Sequence, residues 1–130
     1  MTRYLLDTTA LIAHLRGDDS TTRGMLALLA TGHTLGTSCV NIAEIERGLH
    51  PAERKRARVL LDRLDFLITT PEAAVRAGRY QADYQRRGRI FHTPDALVAG
   101  TARAHGAHLV TDNVADFPMT DIRVERLTEH

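Results

Sequence analysis

Tyr4-Leu5-Leu6-Asp7-Thr8-Thr9-Ala10-Leu11-Ile12 decides how this chain folds. The run over residues 3–7 is short, largely apolar and poorly alternating, the pattern of a strand covered on both faces in a parallel sheet. It ends on a carboxylate, and Thr8 or Thr9 can cap the helix expected over residues 10–16. Gly17 and the polar Asp18-Asp19-Ser20 stop that helix. A buried strand that turns at once into a helix opens a β-α unit.

The same alternation continues to the end of the chain. Further strands are predicted over residues 34–38, 66–69, 108–111 and 122–125. Helices are predicted over residues 21–30, 41–49, 71–87 and 93–105. Another follows Pro51 and carries Val59, Leu60, Leu61 and Leu64. Thr93 is placed to cap the last helix, with Pro94 in its first turn, while Gly32 and Gly106 act as stops. The pattern predicts an α/β fold, a three-layer α/β/α sandwich around a central parallel sheet of four to five strands. A length of 130 residues suits a single domain, 1–130. Ligands of such sheets bind beyond the carboxyl ends of the strands, where Asp7, Asp112 and Asp116 are expected.

The composition excludes several classes. No apolar run approaches the roughly 20 residues of a membrane span, and no signal peptide is read ahead of the first strand, so a cytoplasmic location is expected. Cys39 is the lone cysteine, which excludes an internal disulfide, and its apolar surroundings predict a buried, inert thiol. The net charge of +1 says little, but Lys55 is the only lysine and the remaining cations are arginines, which suit bidentate phosphate contacts. Residues 54–58 read as a solvated helix face. Arg86, Arg87 and Arg89 lead toward Asp95 and are expected to face phosphate. His14, His33, His50, His92, His105, His108 and His130 show no metal-ligand spacing; His92, near Asp95, is the one placed for substrate contact.

Four acids sit at the ends of apolar runs: Asp7, Glu44, Asp95 and Asp116. Each has an ordinary explanation. Asp7 can cap a helix, Asn41 and Glu44 have capping-box spacing, Asp95 favours a helix dipole, and loop acids such as Asp112 and Asp116 serve turns. None of these explains why acids recur where the fold gathers strand ends. A carboxylate ending a buried strand is costly unless paired or bound to a cation, and Asn41, Glu44 and Gly48 share one helical face. Clustered carboxylates repel one another unless a cation lies between them. Oxygen donors without His or Cys favour Mg²⁺ or Mn²⁺. Metal-assisted phosphodiester cleavage is therefore the leading reading.

At these phrases the chain resembles the PIN-domain nucleases, and within them the VapC-type toxins of toxin–antitoxin pairs. Leu5 to Ile12 is similar to the family's opening strand and helix. Glu44-Ile45-Glu46-Arg47-Gly48 resembles its Glu-Leu-x-x-Gly phrase, and Asp95-Ala96-Leu97-Val98-Ala99 its Asp-x-Leu-Ile-Ala helix. Val110 to Phe117 resembles the closing Thr-x-Asn-x-x-Asp-Phe phrase. The resemblance covers the whole chain. It implies RNA cleavage with Mg²⁺ or Mn²⁺, a homodimer, and inhibition by an antitoxin encoded beside it. It also implies an acidic site of Asp7, Glu44, Asp95 and Asp116, supported by Thr8, Thr111 and Asn113, with Asp112 as the rival fourth carboxylate. Apolar positions between residues 40 and 64 predict a groove for the antitoxin.

Rival readings remain at this level. Asp7-Thr8-Thr9 loosely matches the nucleophile phrase of haloacid-dehalogenase-like phosphatases, but Lys55 lacks the context that chemistry requires of a lysine. An inactive PIN-like acidic-pocket binding module and a DNA-directed nuclease also compete with the leading reading.

Overall fold

Leu5 is buried on one face of strand β1 (Arg3–Leu6), while Tyr4 and Leu6 are buried on the other. This alternation divides the core into two halves with β1 between them. The structure is a computed structural model that describes residues 1–127; His130 lies outside the described residues.

Five parallel strands form the sheet in the order β3-β2-β1-β4-β5. They are β1, β2 (Thr34–Thr37), β3 (Asp65–Phe66), β4 (His108–Val110) and β5 (Val124–Glu125). One face is covered by α1 (Thr8–Leu15), α2 (Asp19–Ala30), α3 (Cys39–Gly48) and α4 (Arg54–Asp62), through a cluster that includes Leu6, Leu11, Met25, Ile45, Ala57 and Val110. The other is covered by α5 (Pro71–Arg86) and α6 (Thr93–Ala104), through Leu5, Ala77, Tyr80, Tyr84, Val98 and Leu109. The result is the three-layer sandwich that the sequence predicts. No helix among the described residues is long and apolar enough to cross a membrane.

The chain winds outward from β1 through β2 to β3, then returns to the other side of β1 as β4 and β5. The winding direction therefore reverses between β1 and β4. This switch point opens a crevice at the carboxyl ends of the two central strands. Asp7 leaves the first of them, Thr111 the second, and the Asp7 amide donates to the Val110 carbonyl at 2.8 Å.

Local departures from expectation have physical causes. Thr8 and Thr9 lie inside α1 and do not cap it, because their hydroxyls bond elsewhere in the crevice. Asp18 does not merely end α1; its carboxylate accepts from the Thr21 amide at 2.9 Å and caps α2, which starts two residues before its predicted position. Asn41 sits in the first turn of α3, after the N-cap residue Ser38, so Asn41 and Glu44 form no capping box. His92, not Thr93, occupies the N-cap position of α6. Strand β3 is an edge strand of two residues, shorter than predicted. Cys39 is exposed rather than buried: it opens α3 after β2 has ended, and its thiol lies 3.4 Å from the Thr69 hydroxyl.

The α5–α6 contact depends on glycine. A Cβ on Gly100 would overlap the Ala73 carbonyl and approach the Ala77 nitrogen to 3.2 Å, whereas one on Gly78 would meet nothing within 4 Å. Gly100→Ala is therefore expected to destabilise the protein by about 1–3 kcal/mol through overpacking, despite its better helix propensity. Gly78→Ala should stabilise it by about 0.5–1 kcal/mol. Urea unfolding of the two variants checks both signs.

Candidate active site at the carboxyl edge of the sheet

Asp7 is 5% exposed, and its carboxylate is held from two sides. Asn41 Nδ2 donates to Oδ1 at 3.2 Å, and the Thr111 hydroxyl donates to Oδ2 at 3.0 Å. Asn41 is fully buried and its amide is fixed in turn, because the Ser38 hydroxyl donates to its Oδ1 at 2.6 Å. The same Nδ2 reaches the Thr8 hydroxyl at 3.1 Å, and Thr8 Oγ1 donates to Glu44 Oε1 at 2.7 Å. On the β4 side, the Asn113 amide donates to Thr111 Oγ1 at 3.1 Å. Thr9 Oγ1 lies 3.4 Å from the Thr111 hydroxyl and accepts from the Asp112 amide at 3.3 Å. A continuous polar network thus ties the ends of β1 and β4 to the first two turns of α3.

All the donors to Asp7 are neutral, so nothing here balances its charge. Burial pushes its carboxyl up from 3.8 to about 6; the Thr8 amide and the Thr111 hydroxyl oppose this, while Asp95 and Glu44 add to it. Asp95, in the first turn of α6, is half-buried. Its carboxyl is likewise raised, first by burial, then by Glu44 and Asp116, with His92 opposing. Asp95 thus links the two sides of the crevice, acting on Asp7 and lying within reach of both Glu44 and Asp116. Among the described residues, however, no three His, Cys, Asp or Glu side chains converge closely enough to hold a metal ion as they stand.

A cavity of about 370 Å³ adjoins Asp95 and Asp116 and is lined also by Tyr84, Arg89, Ile90 and His92. Asp116 ends a short 3-10 turn, Val114–Asp116, and is exposed, as is Asp112. Of the two, only Asp116 lines this cavity. Among the predicted arginines, Arg89 reaches the cavity, Arg87 lies beside it over the Tyr84 ring, and Arg86 is turned away into an ion pair with Asp83. Lys55 lines a separate groove beside His14, Arg56 and Val59.

Sequence reasoning missed three residues of the network. Asn41 was visible on the face of Glu44, but its role as a direct partner of Asp7 was hidden by its resemblance to a cap. Ser38 and Thr9 carried no signal of their own, since hydroxyls beside helix starts are common.

The donor set suits a hard cation. Mg²⁺ retains several waters and is commonly held by one or two carboxylates, so the lack of a converged three-acid set is compatible with it. Among the described residues the donors gathered here are oxygens, with His92 beside Asp95.

The chain has relatives among known proteins. The PIN domain family model matches residues 4–120. Ribonuclease VapC10 of Mycobacterium tuberculosis is 35% identical over 115 residues, covering 88% of this chain and 86% of that protein. The tRNA(fMet)-specific endonuclease VapC of Shigella flexneri is 25% identical over 125 residues, covering 90% and 91%. The fold superposes on a chain of VapBC2 from Rickettsia felis, solved bound to a DNA fragment from their promoter. That match has a TM-score of 0.86 and 24% identity, and covers 96% of this chain and 98% of that one.

The raised Asp7 carboxyl sets a pH dependence. The folded chain holds this proton more tightly than the unfolded chain does. Stability is therefore lost as pH rises from about 3.8 through about 6, by about 3 kcal/mol in all. Asp7→Asn has no such titration. Urea unfolding in EDTA should show the stability difference between variant and wild type moving in the variant's favour by about 2–3 kcal/mol between pH 4 and pH 8. A difference independent of pH would mean that the charge on Asp7 carries no burial cost.

Proposed function

This chain belongs to the PIN-domain family, in its VapC branch, and from that premise we propose that it is a divalent-metal-dependent endoribonuclease, the toxin of a toxin–antitoxin pair. The observation that carries the reading is Asp7, buried at the switch point within electrostatic reach of Asp95 and Glu44, with no basic side chain bonded to it among the described residues.

In this reading Asp7 and Asp95 hold Mg²⁺ or Mn²⁺, with Asp116 completing the site directly or through water and Glu44 beside it. The bound cation would lower the pKa of a coordinated water and offset charge developing on the phosphate oxygens. Asn41 and Thr111 fix the Asp7 carboxylate in one orientation. Thr8 does the same for Glu44 by occupying Oε1, which leaves Oε2 to orient the attacking water. Attack on phosphorus in line with the 3′ oxygen breaks the P–O3′ bond and leaves 5′-phosphate and 3′-hydroxyl ends. Asn113 supports through its backbone, holding the Thr111 hydroxyl in place. Arg89 and Arg87, beside the cavity, suit the phosphate backbone.

RNA is favoured by the relatives, a ribonuclease and a tRNA-specific endonuclease among them. Tyr80, Tyr84, Phe91 and Phe117 are all buried. With these rings buried, His92 is the exposed ring that lines the crevice among the described residues, so recognition by backbone shape is favoured, as in a folded tRNA or rRNA. A DNA-directed nuclease and an inactive acidic-pocket binding module are the competing readings, and cleavage assays on RNA and DNA separate them.

The antitoxin partner has a suitable surface. Much of the apolar content between residues 40 and 64 is spent in the core: Leu49, Leu60, Leu61 and Leu64 pack against the α1–α4 cluster. Part of it stays uncovered: Ile42 and Leu61 line a hollow of about 250 Å³ between α3 and α4, Val59 is exposed at one of about 510 Å³ between α1 and α4, and, on α2, Leu26 and Leu29 are exposed at one of about 340 Å³ between α2 and α4. An exposed apolar face of this kind suits an amphipathic helix. A homodimer working in the cytoplasm completes the proposal.

Asp7→Asn and Asp95→Asn should each lower RNA cleavage at least a hundredfold while circular dichroism and unfolding show an intact fold. EDTA should abolish cleavage and Mn²⁺ or Mg²⁺ restore it. Near wild-type rates in either variant would remove the acid from the site, and cleavage of single-stranded DNA alone would favour the DNA reading. Asp116→Ala should impair the rate more than Asp112→Ala across a Mg²⁺ titration; the reverse order would move the fourth carboxylate to Asp112. Co-expression with the neighbouring small gene should yield a complex that no longer cleaves RNA.

A further inference from the structure

Helix α5 and its C-cap residue Arg87 place Arg76, Arg79, Tyr80, Asp83, Tyr84 and Arg87 at spacings of three and one, so all six share a face. A hollow of about 200 Å³ runs along this face and is bounded on its far side by residues 118–121. Tyr84 and Pro118 line both this hollow and the crevice of Asp95 and Asp116, so the two meet there.

The acids of this surface are already engaged. Asp83 pairs with Arg86. Asp121 accepts the Tyr80 hydroxyl at 2.8 and 2.9 Å and lies 3.7 Å from Arg103. In contrast, Arg76, Arg79, Arg87 and Arg89 close no ion pair with a carboxylate among the described residues. The Arg87 and Arg89 guanidiniums lie over the Tyr84 ring, 5.8 and 5.7 Å from its centroid. That contact holds two long side chains in defined places. A strip of uncompensated positive charge therefore leads into a crevice of uncompensated negative charge.

We propose that this strip is the track for the RNA strand flanking the scissile phosphate, an inference that rests on the ribonuclease reading above. Arg89 and Arg87 take the phosphates nearest the acids, and Arg79 and Arg76 those farther out. Arg76 to Arg87 spans about 16 Å of helix, the length of a few nucleotides. Tyr80 and Tyr84 are each 6% exposed and form the floor of the track, so they present no ring face to a base. The grip is on the backbone and tolerates any sequence. Arg86, committed to Asp83, stands outside the track.

The test measures binding without cleavage. Fluorescein-labelled uridine 6-mers and 18-mers are titrated in EDTA against wild type, Arg76→Gln/Arg79→Gln, and the charge-matched control Lys55→Gln/Arg58→Gln on α4. The 18-mer should bind wild type more tightly than the 6-mer. The α5 double variant should lose roughly tenfold for the 18-mer, and its log–log salt slope should fall by about 1.4, the value for two lost single-strand contacts. The α4 control should follow wild type. Equal losses in both double variants would reduce the effect to net charge and overturn the track. So would an unchanged salt slope, or a change in oligomeric state on sedimentation, which would make the strip a protein interface. Cleavage of RNA by wild type in Mg²⁺, run in parallel, tests the ribonuclease reading separately.

Discussion

The structure is organised around the burial of one carboxylate. Asp7 ends the central strand at the place where the sheet reverses its winding, and it is kept there without a basic partner. Burying an unbalanced charge is opposed by desolvation, so the surroundings supply what neutral groups can. Asn41, itself fixed by Ser38, donates to one oxygen and Thr111 to the other. These partners orient the group without neutralising it. Its carboxyl consequently stays well above the ordinary value, and Asp95, facing the same acids, is raised as well.

That imbalance sets the crevice apart from the ion pairs around it. Asp83 is matched with Arg86, Glu46 with Arg54, Asp121 with Arg103 and Tyr80, and Glu125 with Arg123. Pairs near the surface add little stability, but they cancel the local field. Where the crevice adjoins the arginines of α5 and the loop after it, uncancelled charge of one sign meets uncancelled charge of the other. Opposite fields side by side suit a polyanion whose cleaved phosphate is presented to a cation.

Much of this was legible in the sequence. The strand–helix alternation gives the three layers, because short apolar runs bounded by turn signals between helices read as buried strands. The acids Asp7, Glu44 and Asp95 end apolar runs and do come within electrostatic reach of one another. The errors lie where one residue type serves two purposes. Asn41 has the spacing of a cap but points at Asp7, because α3 begins earlier, after Ser38. Thr8 and Thr9 have cap chemistry but spend it on Glu44 and Thr111. Cys39 looks core-bound by its neighbours, yet the turn from β2 into α3 leaves it outside. Arg86 and Arg87 are adjacent in sequence, but the helix rotates them onto different partners, Asp83 and Tyr84. Partner choice of this sort depends on contacts made across the fold, which spacing alone does not encode.

The close approach of α5 to α6 has a mechanical meaning. Gly100 lets the backbone of one helix rest on the Ala73 carbonyl of the other, close beside the Ala77 nitrogen. With so little side chain between them, the two helices have no padding to compress and little room to slide. They form a single stiff plate that bears Asp95 at one end and the arginine row along its flank. Asp7 and Glu44 belong to the opposite side of the crevice, on β1 and α3. In the proposed reading the molecule works like a caliper: one jaw carries both the ruler and a tooth, so the seam sets the distance from grip to cut.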